Sequence, residues 1–102
     1  MNVRTIKEIS SGIYKEKGSK FISYAYPINT EEQVEDILKN IKKEHYSARH
    51  HCYAYSIGIN REKIRYNDDG EPHGTAGKPI FNQILSFNVT NILIVVVRYF
   101  GG

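Results

Sequence analysis

The sequence predicts an α+β fold, in which a mixed β-sheet carries two helices on one face in the order β-β-α-β-β-α-β. Composition is the first reason, because 14 Ile and 6 Val outnumber 3 Leu, and 8 Tyr and 4 Phe add to a set of residues typical of strands. The second reason is a well-marked amphipathic helix between strand-like segments. The third is the run at residues 91–100, which is apolar on both faces, as in a central strand. A length of 102 residues suits one domain.

Two strands open the chain. Apolar and polar residues roughly alternate over residues 3–15, and residues 21–28 form a second strand-like run. The Lys-Gly-Ser turn signal at residues 17–19 separates them, so we expect an antiparallel hairpin.

The first helix follows the hairpin. Thr30 is a favourable N-cap, and Gln33 three residues later completes a capping box. Acidic residues lie in the first half of the helix and lysines in the second, an arrangement that the helix dipole favours. One apolar stripe at helical spacing contains Val34, Ile37, Leu38 and Ile41.

The second half of the chain repeats the strand, strand, helix order and adds a final strand. Residues 51–59 alternate as a strand does, and residues 64–66 form its partner after a turn at 60–62. Residues 67–79 hold three Gly and two Pro and predict a loop. A short buried helix then covers residues 80–87, opening just after Pro79.

Charge and composition exclude several classes of protein. The single Cys cannot form an internal disulfide, which favours a reducing compartment. The longest aliphatic run is too short for a membrane span, and the N-terminus lacks the apolar stretch of a signal peptide. We therefore expect a cytoplasmic protein without a membrane partner. The net charge of +3 is only weak support for a polyanionic partner.

The glycine-rich loop offers two interpretations. It is not a Walker A loop, because Pro72 and Pro79 stand where that motif needs Gly and Ser or Thr. The backbone N–H groups of Gly74, Ala76 and Gly77 could form an anion-binding nest at the start of the next helix, with Lys78 beside it. The other interpretation is a tight structural turn that leads into the helix.

Acidic and histidine side chains cluster around the same loop. Their spacing fits no established metal-binding motif, and the adjacent His50 and His51 point to opposite faces of a strand. We predict no metal and no cofactor. Cys52 shares a strand face with His50, but a lone strand Cys is usually a small buried hydrophobe rather than a nucleophile.

Arg98 ends the most apolar strand and, within residues 76–102, only Lys78 is also charged. A buried Arg needs an acid or an anion. One interpretation is a salt bridge to Asp68, Asp69 or Glu71, and the other is a phosphate or an acidic peptide docked at the strand end. The ending Arg-x-x-Gly-Gly also invites comparison with ubiquitin-like modifiers, but aromatic residues adjoin the glycines, which disfavours a mobile tail.

Four sequence blocks carry a more specific resemblance: KGSKFISYAYPI at 17–28, ARHHCYAY at 48–55, DDGEPHGTAGKP at 68–79 and NILIVVVRYFGG at 91–102. In order and spacing they resemble the signature blocks of the IMPACT/YigZ family (UPF0029). The positions that match the family pattern are His50, Asp69, Gly70, Glu71, Gly74, Thr75, Ala76, Gly77, Arg98 and the glycine pair 101–102. His73 departs from that pattern.

The resemblance implies several further features. Residues 1–102 would be the family's N-terminal domain, truncated at its C-terminal end, because the family pattern continues beyond the glycine pair. Bacterial members add a ferredoxin-like second domain, which is absent from this sequence. The implied fold resembles the second domain of a small-subunit ribosomal protein, and eukaryotic members are translation regulators.

We therefore expect a non-enzymatic binding domain linked to translation, which engages RNA, the ribosome or a protein partner through the loop at 68–79. Self-association through apolar surface near Tyr99 and Phe100 is a further expectation. The alternative is an enzyme of hydrolase or phosphotransferase type, in which Asp69, Glu71 and His50 act beside the nest. The predicted binding residues are His50, Asp69, Glu71, Gly74, Thr75, Gly77, Lys78 and Arg98.

Overall fold

The computed structural model describes residues 3–100, and it confirms the α+β class and the predicted order of elements. The glycine pair at 101–102 lies outside the described residues. The first helix has the predicted capping box between Thr30 and Gln33. The elements are β1 (Ser10–Glu16), β2 (Ser19–Pro27), α1 (Glu31–Glu44), β3 (His50–Ile57), β4 (Lys63–Asn67), α2 (Gly77–Ser86) and β5 (Ile92–Phe100).

The five strands form one sheet in the order β1-β2-β5-β3-β4. Every neighbouring pair in this sheet is antiparallel, so the prediction of a mixed sheet was wrong. The reason is the position of β5. Strands β2 and β3 run in the same direction and are joined through α1, but β5 lies between them and runs opposite to both.

The two helices lie on opposite faces of the sheet, which corrects the prediction that both pack on one face. Along β5, side chains alternate between the faces, and both sets are apolar. Helix α1 covers one set and α2 the other, because an apolar strand face needs a partner on each side. The α1 face holds Val34, Ile41, Tyr53, Tyr55, Leu93, Val95 and Val97, and the α2 face holds Ala54, Phe81, Ile84, Ile92 and Ile94.

The first strand is an edge strand and shorter than predicted. All seven residues of β1 are exposed, and a two-residue turn at Lys17 and Gly18 connects it to β2. Both turn residues have positive φ, 49° and 79°, as a type I′ hairpin turn requires. The segment before β1 takes a different course, because Arg4 pairs with Val89 instead of extending the strand.

Asp68 connects the end of β4 to the start of α2. Its carboxylate accepts backbone N–H groups from Gly74 (2.9 Å), Ala76 (3.0 Å) and Gly77 (2.8 Å). These bonds, led by that from Gly77, hold the pKa of the Asp68 carboxyl below its usual 3.8. Helix α2 therefore begins at Gly77, earlier than predicted, and the side chain that satisfies its first N–H groups comes from outside the helix.

No helix within residues 3–100 is both long and apolar enough to cross a membrane.

Gly77 packs directly against the backbone of Asn67. A Cβ at position 77 would lie 2.6 Å from the Asn67 nitrogen. We expect Gly77→Ala to lower the free energy of unfolding by roughly 1–3 kcal/mol, because backbone atoms cannot move aside as a flexible side chain can. Gly12→Ala in β1 is the control, since its added Cβ meets no atom within 4 Å. Urea denaturation of both variants measures the effect, and equal stability of the two would contradict the close packing.

Asp68→Asn should lower the melting temperature by several degrees at neutral pH, because an amide lacks the charge and one acceptor oxygen of the carboxylate. The lowered pKa means that the carboxylate stabilises the fold fully above pH 3.8. That contribution is lost as the pH falls further, through the pKa of the folded state. The melting temperatures of wild type and variant should therefore converge in acid.

Asp36→Asn, on the exposed side of α1, is the matched control for the loss of one carboxylate. It should change the melting temperature little at any pH. A pH-independent difference between wild type and Asp68→Asn would count against the capping role of the charge.

Candidate functional site

The register of the sheet brings together residues that the sequence separates. In the pairing of β3 with β5, His50 lies directly opposite Arg98. The loop that follows β4 returns over this end of the sheet and carries Asp69 and Glu71. Four of the eight predicted binding residues therefore meet at one end of the α2 face.

Arg98 and Glu71 form the central ion pair. The Nη1 group of Arg98 donates to both carboxylate oxygens of Glu71, at 3.0 and 2.9 Å, and Nη2 lies 3.4 Å from the Ser19 hydroxyl. Both side chains are largely buried, so the charge of each requires the other. The salt-bridge interpretation of Arg98 is confirmed, with Glu71 as the acid.

The Arg98 guanidinium also lies between two aromatic rings. Its central carbon is 4.3 Å from the centroid of Phe100 and 5.3 Å from that of Phe21. Cation–π contacts at these distances are attractive and fix the plane of the guanidinium. The Nε atom is buried and has no hydrogen-bond partner within residues 3–100.

His50 and Asp69 attach the loop to β3. The Nδ1 atom of His50 is 2.7 Å from the carbonyl oxygen of Asp69, and because that oxygen can only accept, Nδ1 carries the proton. The Asp69 carboxylate accepts the backbone N–H of His51 at 2.7 Å. Both residues thus make structural contacts that position the loop.

Cys52 lies beneath this loop as a buried thiol. It donates to the carbonyl oxygen of Asp68 at 3.0 Å. Burial, and then the nearby carboxylates of Glu71, Asp69 and Asp68, raise the pKa of the Cys52 thiol to about 12. A thiol in this state is protonated at neutral pH, which disfavours the nucleophile considered for this residue.

The predicted nest contains a carboxylate of the chain itself. The N–H groups of Gly74 and Gly77 point at Asp68, and the Thr75 hydroxyl donates to the carbonyl of Pro72 at 2.5 Å. An external phosphate could bind these N–H groups only if Asp68 moved away. Lys78 is exposed, and in the part of the chain that the structure describes it forms no ion pair. Binding roles for these four predicted residues remain predictions.

A cleft of about 450 Å³ separates the loop from the sheet, and we call it the loop cleft. Its walls are mostly apolar, and the Arg98–Glu71 pair is part of its polar lining. The lining residues are Phe21, Cys52, Glu71, Pro72, Thr75, Ala76, Ile80, Val96 and Arg98. Within residues 3–100, no three His, Cys, Asp or Glu side chains converge as a metal site would require.

A second surface at the same end of the sheet was missed by the sequence analysis. We call it the basic–aromatic end, and it consists of Lys15, Lys17, Lys20, Arg49, Tyr99 and Phe100, together with the acidic Glu16 of the hairpin. The sheet register creates it by pairing Lys20 with Tyr99 and Ser19 with Phe100. A shallow depression of about 480 Å³ lies between the hairpin turn and these two aromatic residues.

Cations stand over both aromatic rings of the basic–aromatic end. The Lys20 ammonium is 4.8 Å from the Tyr99 ring centroid, and the Arg49 guanidinium carbon is 5.3 Å from that of Phe100. Across the described range, 3–100, none of the four basic side chains forms an ion pair. The sequence signal was the run Lys-Glu-Lys-Gly-Ser-Lys at 15–20, which places three lysines around one turn.

His45 anchors the tyrosine of this surface from the α1 face. One ring nitrogen of His45 is 2.5 Å from the Tyr99 hydroxyl, and the other is 2.7 Å from the Tyr24 hydroxyl. His45 is itself held by His51, whose ring N–H donates to its carbonyl oxygen at 2.8 Å. The Tyr99 ring beneath Lys20 is therefore fixed by a buried polar network.

The family model of the Impact N-terminal domain matches residues 17–102. The IMPACT family member YvyE of Bacillus subtilis (strain 168) is 39% identical over 98 residues, which cover 96% of this chain and 45% of that protein. The IMPACT family member YigZ of Escherichia coli (strain K12) is 40% identical over 88 residues, covering 84% and 43%.

A eukaryotic relative and a solved structure agree with these matches. The Protein IMPACT homolog of Dictyostelium discoideum is 39% identical over 92 residues, which cover 85% of this chain and 26% of that protein. A crystal structure described as that of a hypothetical protein is 36% identical, with a TM-score of 0.88, and covers 92% of this chain and 47% of its own.

The chain spans less than half the length of each of these relatives. The match of the family model from residue 17 to residue 102, together with relatives about 40% identical over most of the sequence, shows that this chain belongs to the IMPACT family.

Proposed function

We propose that this chain is a binding domain for single-stranded RNA in a cytoplasmic protein linked to translation. The observation that carries the proposal is the basic–aromatic end, where Lys20 lies over Tyr99 on the α1 face and Arg49 lies over Phe100 on the α2 face. Within residues 3–100 none of its four basic side chains forms an ion pair. The link to translation rests on the family resemblance, in which eukaryotic members are translation regulators.

The chemistry of this surface suits a single strand better than other partners. Unpaired lysines and an arginine bind phosphate oxygens, and they gain free energy by releasing counterions from the strand. Phe100 is 50% exposed, so a base can stack on its free surface. An acidic protein segment would form ion pairs with the lysines, but its carboxylates would not stack on the aromatic rings.

The loop at 68–79 supports RNA binding less directly than the sequence analysis expected. Its nest N–H groups already bind Asp68, and Arg98 is neutralised by Glu71. Lys78 remains as a free cation on that side of the cleft. In the proposal the loop shapes the neighbouring cleft, and the phosphates lie on the hairpin side.

The enzymatic alternative has less support. Glu71 is engaged with Arg98, Asp69 with the backbone of His51, and the Cys52 thiol is protonated at neutral pH. A general base or a nucleophile needs a free lone pair directed at a substrate. These contacts assign the same groups to holding the loop in place.

Binding of the purified chain to a fluorescently labelled single-stranded RNA, followed by anisotropy across a salt series, tests the proposal. Affinity should fall steeply as salt increases. Lys17→Ala and Lys20→Ala should each weaken binding several-fold and reduce the slope of log K against log salt by about 0.7, the value for one phosphate contact on a single strand.

Lys39→Ala is the control, because this lysine lies on the exposed side of α1, away from the site. It should change neither the affinity nor the slope. Lys78→Ala compares the two surfaces. If it weakens RNA binding more than Lys17→Ala and Lys20→Ala do, the RNA binds at the loop rather than at the hairpin. Absence of binding at low salt would refute the proposal, and a nuclease-resistant pull-down would indicate a protein partner instead.

A further inference from the structure

We infer that the loop cleft accepts one unpaired nucleobase from the strand bound at the basic–aromatic end. This inference rests on the proposed function and adds the part of the ligand that enters the fold. The cleft and the basic surface share a boundary, because the Arg98 guanidinium that lines the cleft stacks 4.3 Å from the ring of Phe100. The register places Lys20 and Tyr99 on the α1 face, and Phe100 and the cleft on the α2 face. A strand bound at Lys20 therefore reaches the mouth of the cleft by passing around the end of β5 to Arg49 and Phe100.

The charge around the cleft selects a neutral group. The carboxylates of Asp68, Asp69 and Glu71 all lie near enough to Cys52 to raise the pKa of its thiol, and the positive charge of Arg98 is already matched by Glu71. Among the residues that line the cleft, Arg98 is the only cation and it is paired with Glu71, so a phosphate that entered would meet a carboxylate without an unpaired cation beside it. Lys78 does not line the cleft. The phosphates therefore stay outside, on the lysines, while a base carries no charge and can enter.

The lining of the cleft suits a flat apolar body with polar edges. Phe21, Ile80 and Val96 supply apolar surface on which a ring can lie. The Nη2 group of Arg98 makes only a long contact of 3.4 Å with the Ser19 hydroxyl, and a ring nitrogen or carbonyl oxygen of a base would supply a closer acceptor. The Oε2 atom of Glu71 accepts one bond from Arg98 and retains a lone pair for an exocyclic amino group, whereas Oε1 also lies 3.6 Å from the Nε2 atom of His50.

The size of the cleft agrees with this occupant. Its volume of about 450 Å³ lies in the lower part of the range of small-molecule sites, roughly 300–1,000 Å³. One base fits such a volume, whereas a folded RNA element does not. The loop cleft would thus bind a base that is unstacked from its neighbours, as is usual where proteins recognise single-stranded RNA.

An abasic scan of the oligonucleotide tests the inference. In the scan, one base at a time is replaced by hydrogen while the phosphates remain. We expect about a ten-fold loss of affinity at the position that enters the cleft, because an enclosed base buries more apolar surface than an exposed one. A loss at the base stacked on Phe100 should be smaller, and losses elsewhere should be smallest. Ala76→Leu, which fills the cleft, should weaken binding of the complete strand by a similar factor and should abolish the difference between intact and abasic strands.

Asn82→Leu introduces the same side chain on the exposed side of α2 and is the matched control, with no change expected. Uniform, small abasic effects, together with normal binding by Ala76→Leu, would overturn the inference and leave the RNA proposal intact if the lysine variants still weaken binding.

Titration of the wild-type chain with free adenosine and guanosine gives a second measurement, which does not depend on whether Ala76→Leu folds. Shifts of the Val96 and Ile80 methyl resonances in NMR spectra would support a base in the cleft. If RNA fails to bind and neither nucleoside shifts these resonances, both the inference and the proposed function fail. Shifts without RNA binding would retain the cleft as a nucleobase site and reject only the proposed function.

Discussion

The burial of β5 on both faces is the constraint on which the rest of this structure depends. Because its side chains are apolar on either side, the strand must lie in the centre of the sheet with a helix on each face. That position fixes its register against β2 and β3, and the register brings Arg98 beside Phe21 and opposite His50. The site at the strand end is thus a consequence of core packing.

Acidic residues of the loop occupy the groups at that site that could otherwise bind an external anion. Asp68 occupies the N–H groups of the nest, and Glu71 neutralises the arginine at the strand end. Both acids act on the chain's own groups, so the loop is held rigidly over the sheet without an external ion. The hairpin side differs, because Lys17 and Lys20 have no acidic partner among the described residues.

Sequence reasoning succeeded where the signal is local. The capping box of Thr30 and the doubly apolar β5 depend on neighbouring residues, and both were predicted. The error about the helix faces is instructive, because a strand apolar on both sides already requires cover on both. The role of Asp68 and the meeting of Lys20 with Tyr99 depend on pairing across long stretches of chain, which a single sequence does not specify.

The exposure of β1 makes the hairpin less stable to local opening than the rest of the sheet. All seven residues of β1 are exposed, so the backbone hydrogen bonds to β2 contribute most of the stability of this strand. The amides of β1 should therefore exchange with solvent through local opening of the hairpin rather than through global unfolding. Lys15 and Lys17 belong to this weakly held unit. A ligand that binds these lysines must restrict the motion of the hairpin, and the entropy lost in doing so lowers the net affinity. Slower exchange of the hairpin amides would then report that the ligand is bound.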